Sequence, residues 1–226
     1  NRLEDGRLLF FWCNTTPLPE METANGVWDD VFTNRDVTHV AISEDDGKTW
    51  TGFRELYLTP KRNDAEYAGG GMDRSTHQAQ MVEVAPGKIL ASIGQHETFR
   101  SMMLFDVDWL YETERFNDFS DALDQWTVFN YKKGIKGHCS YNRIAGCEAV
   151  PHSDKEGKQM MQLKYRKDES LVSDIRGAVW NFPVMKQGSF TTSIRIPEGS
   201  DEVYLLLNDR WMNPSDTVAR HECMYE

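Results

Sequence analysis

The stretch "SEDDGKTW" (residues 43–50) is mostly polar, yet it has a glycine in the middle and an aromatic ring at its end. Its spaced residues form the pattern S-x-D-x-G-x-T-W, and they are Ser43, Asp45, Gly47, Thr49 and Trp50. We predict a tight turn between two strands, in which Asp45 accepts from turn amides and Gly47 adopts a φ that a Cβ would not tolerate. The Trp50 ring is expected to lie buried between sheets. We interpret all five residues as structural, and a catalytic role for Asp45 is the less favoured alternative.

Strand-like runs continue on both sides of this turn. Short apolar or alternating stretches are separated by Gly, Pro, Asn and Asp, and almost no stretch has helical spacing. In the first half of the chain these runs lie at 6–14, 36–43, 50–56, 77–84, 87–95 and 99–110. The tripeptide "APG" at 85–87 predicts a second tight turn. The sequence therefore predicts an all-β protein.

Long polar loops interrupt these strands. Residues 15–35 and 57–76 form connections longer than usual, which is typical of loops that serve a function. If residues 43–50 join the third and fourth strands of a four-stranded meander, the loops at 14–36, 57–76 and 95–100 leave the same end of the sheets. We call this the upper end, and the turns at 43–50 and 85–87 lie at the lower end.

The loops of the upper end are rich in ionisable side chains, as expected for the mouth of a site. The candidates for proton transfer are Asp73, His77 and His96. The candidates for substrate binding are Arg35, Arg74, Gln95 and Arg100. The alternative is a solvated rim of ion pairs, which contributes little energy.

The S-x-D-x-G-x-T-W pattern resembles the Asp-box of sialidases and other β-propeller proteins, and the resemblance covers about the first half of the chain. It implies two propeller blades, the first without its inner strand, so we expect the chain to be the C-terminal part of a larger protein. In sialidases, arginines clamp the substrate carboxylate, a tyrosine activated by a glutamate is the nucleophile and an aspartate is the acid/base. Arg74 and Arg100 have positions suited to such a clamp.

The second half has a different pattern. After a polar, acidic connector at 113–125, strand-like runs resume as "QWTVFNY", "QMMQLKYR", "GAVWNFP", "GSFTTSIRIP" and "DEVYLLLND". Residues 1–113 carry 10 basic and 19 acidic side chains, a net −9, whereas the net charge of residues 114–226 is only −2. We therefore predict two domains: partial propeller blades over 1–115 and a β-sandwich over 116–226, of the jelly-roll or concanavalin-like type.

Composition excludes some classes of partner. The net charge is −11 over 226 residues, which disfavours nucleic acid because phosphate binding needs a cationic face. No apolar run approaches the length of a membrane span. The four cysteines lack a CxxC spacing, no ligand spacing singles out a metal, and we predict no cofactor. Whether Cys139 and Cys147 are bridged stays open.

The resemblance to sialidases implies a secreted or periplasmic hydrolase that acts on terminal sugars of complex glycans, with a carbohydrate as its ligand. Asp-box propellers also include lyases and binding proteins, so the sugar, the linkage and the reaction type stay open. The main alternative is a non-catalytic carbohydrate-binding protein, and the third is a structural interaction module. A proton-transfer group with a shifted pKa would favour the enzyme, since a binding protein has no need of one.

Overall fold

The structure is a computed structural model, and it describes residues 1–13, 37–56, 63, 76, 79–94, 100–131, 143–163, 176–200 and 202–207. Strands, turns and short 3₁₀ segments make up its regular structure within these ranges. The all-β class is therefore confirmed.

The first half contains two three-stranded antiparallel sheets. The first sheet has the order β1-β2-β3, with β1 Leu8–Cys13, β2 Thr38–Ser43 and β3 Thr51–Glu55. The second has the order β4-β5-β6, with β4 Gln80–Ala85, β5 Lys88–Ile93 and β6 Ser101–Asp106. A 3₁₀ helix, Val107–Tyr111, follows β6 directly. Both sheets are the meanders that the alternating runs predict, because each strand pairs with the next one along the chain.

The two sheets share one hydrophobic core. Strand β2 is buried at all six positions, and its Val40 and Ile42 belong to the same cluster as Ile89 and Ile93 of β5. Leu110 of the 3₁₀ helix closes the cluster against Gly52, which has φ +94°; a Cβ there would lie 3.2 Å from a Leu110 methyl carbon. A larger residue at this position would separate the helix from the sheet.

The described part of the second half contains three short antiparallel strand pairs. Strand β7 (Trp126–Thr127) pairs with β12 (Val179–Trp180), β8 (Asn130–Tyr131) pairs with β9 (Arg143–Ile144), and β10 (Glu148–Pro151) pairs with β11 (Gln159–Gln162). These pairs do not establish the sandwich, and the two sheets of the first half do not establish propeller blades, so both arrangements stay predictions, as do the domain boundaries.

Two strand predictions of the second half are wrong for the residues described. Residues 188–200 and 202–207 contain no strand, although the first segment alternates apolar and polar side chains and the second is an apolar run. Ile194 and Ile196 are exposed rather than packed on a sheet. The physical reason is that alternation records which side of a ribbon is apolar, whereas a strand also needs a neighbour for its backbone hydrogen bonds.

The outer edge of β3 is covered by the second half of the chain. The backbone N–H of Val184 donates to the Gly52 carbonyl at 3.3 Å, and Asn181 Nδ2 donates to the Phe53 carbonyl at 3.4 Å. An open strand edge exposes unpaired backbone groups, which these contacts satisfy. The second half of the chain is therefore hydrogen-bonded to the first half along β3.

Candidate functional site

The Asp-box turn is held by side chains that bond within the turn. Ser43 Oγ donates to Asp45 Oδ1 at 2.9 Å and accepts from the Gly47 N–H at 2.9 Å. Both carboxylate oxygens of Asp45 hold Thr49, since Oδ1 accepts its backbone N–H at 2.8 Å and Oδ2 accepts its hydroxyl at 2.7 Å. Gly47 has φ +84°, which is the left-handed conformation that favours glycine. The turn is thus braced at every second residue.

The ionisation of Asp45 fits a structural role. The Thr49 hydroxyl, then the Thr49 backbone N–H, lower the pKa of this carboxyl below its usual value. Hydrogen bonds to the charged form keep the group ionised, so it is poorly suited to donate a proton. These contacts favour the structural interpretation of Asp45 over the catalytic one.

Trp50 lies on the outer face of the first sheet. Its Nε1 donates to the Gly47 carbonyl at 3.0 Å, and its ring centroid is 5.7 Å from that of Phe10 on β1. The core cluster between the two sheets does not contain it. The prediction that this ring is buried between sheets therefore does not hold for the two sheets described, because the indole folds back over its own turn.

The strand register shows at which end of each sheet the long connections begin. Cys13 pairs with Thr38 and Ile93 with Ser101, so the connections 14–36 and 95–100 leave the upper ends of their sheets. The lower ends lie together, since Tyr111 donates to Glu44 Oε1 at 2.7 Å beside the Asp-box. The third long connection, 57–76, follows strand β3, whose last residue Glu55 pairs with His39 at the upper end of β2. It therefore also begins at the upper end.

Most of the predicted site residues lie outside the described part of the chain. These are Asp73, His77, His96, Arg35, Arg74 and Gln95. Arg100 is described, and it is exposed immediately before β6 at the upper end. The roles assigned to all seven residues therefore stay predictions.

The structure reveals a group of polar side chains at the upper end that the sequence did not indicate. We call it the upper polar cluster; its members are His39, Glu55, Thr127 and Asn181. His39, Glu55 and Thr127 are each at most 3% exposed. The Glu55 carboxyl accepts from Thr127 Oγ1 at 3.4 Å, and the Glu55 backbone N–H donates to Asn181 Oδ1 at 3.0 Å. Both halves of the chain thus contribute to the cluster.

His39 is the uncharged member of this cluster. Burial lowers the pKa of its imidazole to about 3. Asn181 Nδ2 lies 3.5 Å from His39 Nε2, and the Trp12 ring centroid is 5.7 Å from that of His39. The neutral ring can therefore accept from Asn181 without carrying a positive charge, and it lies opposite Glu55 across the β2–β3 pair.

Arg54, the neighbour of Glu55, is buried on the other face of β3. Its Nη1 donates to the Trp109 carbonyl at 2.9 Å and to Glu112 Oε2 at 3.2 Å, and its guanidinium carbon lies 4.4 Å from the Trp109 ring centroid. Burial lowers the pKa of Arg54, and the Glu112 hydrogen bond opposes that shift. The available signal in the sequence was the Arg54–Glu55 pair itself, since two adjacent charges are unusual in a buried strand.

The remaining chemistry of the described residues is sparse. They contain no group of three or more His, Cys, Asp or Glu side chains that could hold a metal ion. No helix within the described ranges is long and apolar enough to span a membrane.

Cys147 is a free, buried thiol that donates to the Gly177 carbonyl at 3.1 Å, and burial raises its pKa to about 12. A thiol with so high a pKa is a poor nucleophile.

Comparison with known proteins adds no family to this picture. No family model matches the chain, and no curated protein matches it. The resemblance to sialidases therefore rests on the Asp-box and on the order of the strands.

Proposed function

We propose that the chain is part of a secreted or periplasmic glycoside hydrolase of the sialidase-like propeller type, which removes terminal sugars from complex glycans. The observation that carries the proposal is the upper polar cluster. A buried carboxyl and a buried neutral imidazole lie side by side where the long, polar connections leave the sheets. Ionisable groups that are buried together near a loop-lined end are typical of sites for proton transfer.

In this proposal Glu55 moves the proton. Its position is fixed by two elements, because its backbone is held by Asn181 and its carboxyl accepts from Thr127. A carboxyl group can exchange a proton with a glycosidic oxygen or a water, which is the step that general acid/base catalysis requires. His39 stays neutral and acts as a positioning residue through Asn181.

The loop residues predicted from the sequence complete the proposed site. Arg35, Arg74, Gln95 and Arg100 would bind the sugar, and Asp73, His77 and His96 would share in proton transfer. Guanidinium groups bind carboxylates in bidentate geometry, so an acidic terminal sugar is the substrate that fits these residues.

The second candidate function is non-catalytic carbohydrate binding at the same upper end. The Asp-box favours it equally, because this turn is a feature of fold and of no particular chemistry. The two candidates differ at Glu55, since a binding protein does not require a buried proton-transfer group.

Turnover of fluorogenic glycosides separates these functions. The panel includes an α-sialoside and neutral hexosides, and the variants are Arg74→Ala and, as a matched control, Arg195→Ala, whose side chain is 67% exposed in the second half. We expect release from the sialoside, lost in Arg74→Ala and retained in Arg195→Ala. Release from neutral glycosides alone would refute the sialidase-like specificity. Binding of glycans without any release would favour the binding protein.

A further inference from the structure

A shallow, open cavity of about 380 Å³ has one residue of β3, Arg54, in its lining, and Arg54 lies on the opposite face of that strand from Glu55. The other lining residues are Trp109 of the 3₁₀ helix and, from the segment that follows it, Glu112, Glu114, Arg115, Phe116 and Gln125. Its volume is within the range of small-molecule sites, about 300–1,000 Å³. The segment that the sequence indicated only as a polar connector therefore forms the wall of a cavity.

The charges around this cavity balance. Two guanidinium groups, of Arg54 and Arg115, face two carboxylates, of Glu112 and Glu114. A ligand with a strong net charge would be attracted by one pair and repelled by the other. A neutral ligand with many hydroxyls suits both pairs, because a hydroxyl donates to carboxylates and accepts from guanidinium groups.

The lining of the cavity also includes a rigid guanidinium group, that of Arg54. Arg54 is 2% exposed, and stacking on Trp109 together with the bond to its carbonyl fixes the guanidinium plane. Its Nε–H has no acceptor among the residues described. Because this nitrogen is itself inaccessible to solvent, a ligand in the cavity does not reach it. Arg54 instead offers the cavity a guanidinium group that is held in one orientation.

An aromatic ring at the rim offers an apolar platform. The Phe116 side chain is 79% exposed, although a phenylalanine of a folded protein is more often buried. The C–H face of a sugar ring is apolar and its edge carries the hydroxyls, so it fits an aromatic face beside a polar, charge-balanced floor.

We propose that this cavity is a binding subsite for a neutral sugar unit of a glycan, separate from the upper polar cluster. The proposal rests on the proposed function for its choice of a glycan. Beyond that function, it specifies where a second sugar unit would bind and that this unit would be uncharged. The subsite would hold an inner sugar of a branched or extended glycan while the terminal sugar lies at the upper end.

The test is NMR titration of the full chain with neutral disaccharides (lactose, maltose, cellobiose and chitobiose), and with sialyllactose as the acidic probe. Phe116→Ala removes the platform, and Glu114→Gln removes one acceptor charge without changing its shape. Phe190→Ala is the matched control, because this ring is 43% exposed but does not line the cavity. Circular dichroism verifies that each variant is folded.

We expect at least one neutral disaccharide to shift resonances of the connector. Binding should weaken roughly tenfold in Phe116→Ala and measurably in Glu114→Gln, and stay unchanged in Phe190→Ala. Absence of binding by every neutral probe, or equal binding by Phe116→Ala, would overturn the subsite. Tighter binding of sialyllactose through the connector would overturn its charge assignment. Glycoside turnover reports separately on the upper end, so a failure of the hydrolase proposal is distinguishable from a failure of this one.

Discussion

The backbone N–H of Glu55 donates to Oδ1 of Asn181 at 3.0 Å, although 126 positions separate the two residues in sequence. This bond joins the last residue of β3 to the second half of the chain. The same asparagine reaches His39 and the Phe53 carbonyl, so one side chain connects two strands of the first sheet. The upper polar cluster therefore exists only when the two halves of the chain are folded together.

Asn181→Ala tests this connection. The substitution removes the acceptor of a half-buried backbone N–H, so we expect a loss of about 1–3 kcal/mol in the free energy of unfolding, measured by urea denaturation. Gln159→Ala, on the exposed end of β11, is the control and should change stability by less than about 0.5 kcal/mol. Equal stability of the two variants would mean that the Asn181 contacts do not hold the halves together.

The Asp-box turn is tested at its glycine. Gly47→Ala forces an L side chain into φ +84°, where a Cβ also meets the Trp50 and Leu8 side chains at 3.6 and 3.8 Å. We expect a loss of about 1–2 kcal/mol, seen as a lower urea midpoint. Lys48→Ala, at an exposed position of the same turn, should leave the midpoint unchanged. A wild-type midpoint for Gly47→Ala would show that the turn does not require the left-handed conformation.

The buried guanidinium of Arg54 is expected to stabilise the first half. Arg54→Met retains an apolar stem but removes two hydrogen bonds and the stacking on Trp109, so we expect a loss of about 2–4 kcal/mol. Arg2→Met is the matched control, since Arg2 pairs with Asp46 at 2.7 Å but is 55% exposed. Exposed pairs contribute about 0–1 kcal/mol. Similar losses in both variants would contradict the role given to burial.

His39 predicts a pH dependence of stability. Its pKa falls from 6.5 to about 3 on folding, because burial disfavours the charged ring. Between these values the unfolded chain binds one more proton than the folded protein. The free energy of unfolding therefore decreases as pH falls below 6.5, by at most about 1.4 kcal/mol per pH unit. Above pH 6.5 His39 is neutral in both states, so it causes no further change in stability.

His39→Gln should remove that part of the slope. Urea denaturation of both proteins at steps between pH 4.5 and 7.5 gives the comparison. We expect the wild type to lose more stability than the variant on acidification. Parallel curves for the two proteins would show that His39 takes up its proton equally well in the folded state.

The sequence predicted local structure better than long-range contacts. The six strands of the first half could be predicted because alternation and turn residues are local signals, as at Gly47 and in the turn at 85–87. The burial of Arg54 could not be predicted, since its partners Trp109 and Glu112 follow more than 50 positions later in the sequence. The Glu55–Asn181 contact was not predicted for the same reason. The strands expected at 188–197 and, for the described residues, at 202–207 are absent because these segments have no strand beside them to pair with.

Turnover by Glu55→Gln is the most direct test of the central claim, that the upper polar cluster transfers a proton during glycoside hydrolysis. The variant keeps the size of the side chain and its acceptor oxygen, and Glu148→Gln, at an exposed position of β10, is the matched control. On the glycoside that the wild type cleaves fastest, we predict a kcat about 10²–10⁴-fold lower in Glu55→Gln, with KM and the urea midpoint little changed. A wild-type kcat in a folded Glu55→Gln variant would contradict the account.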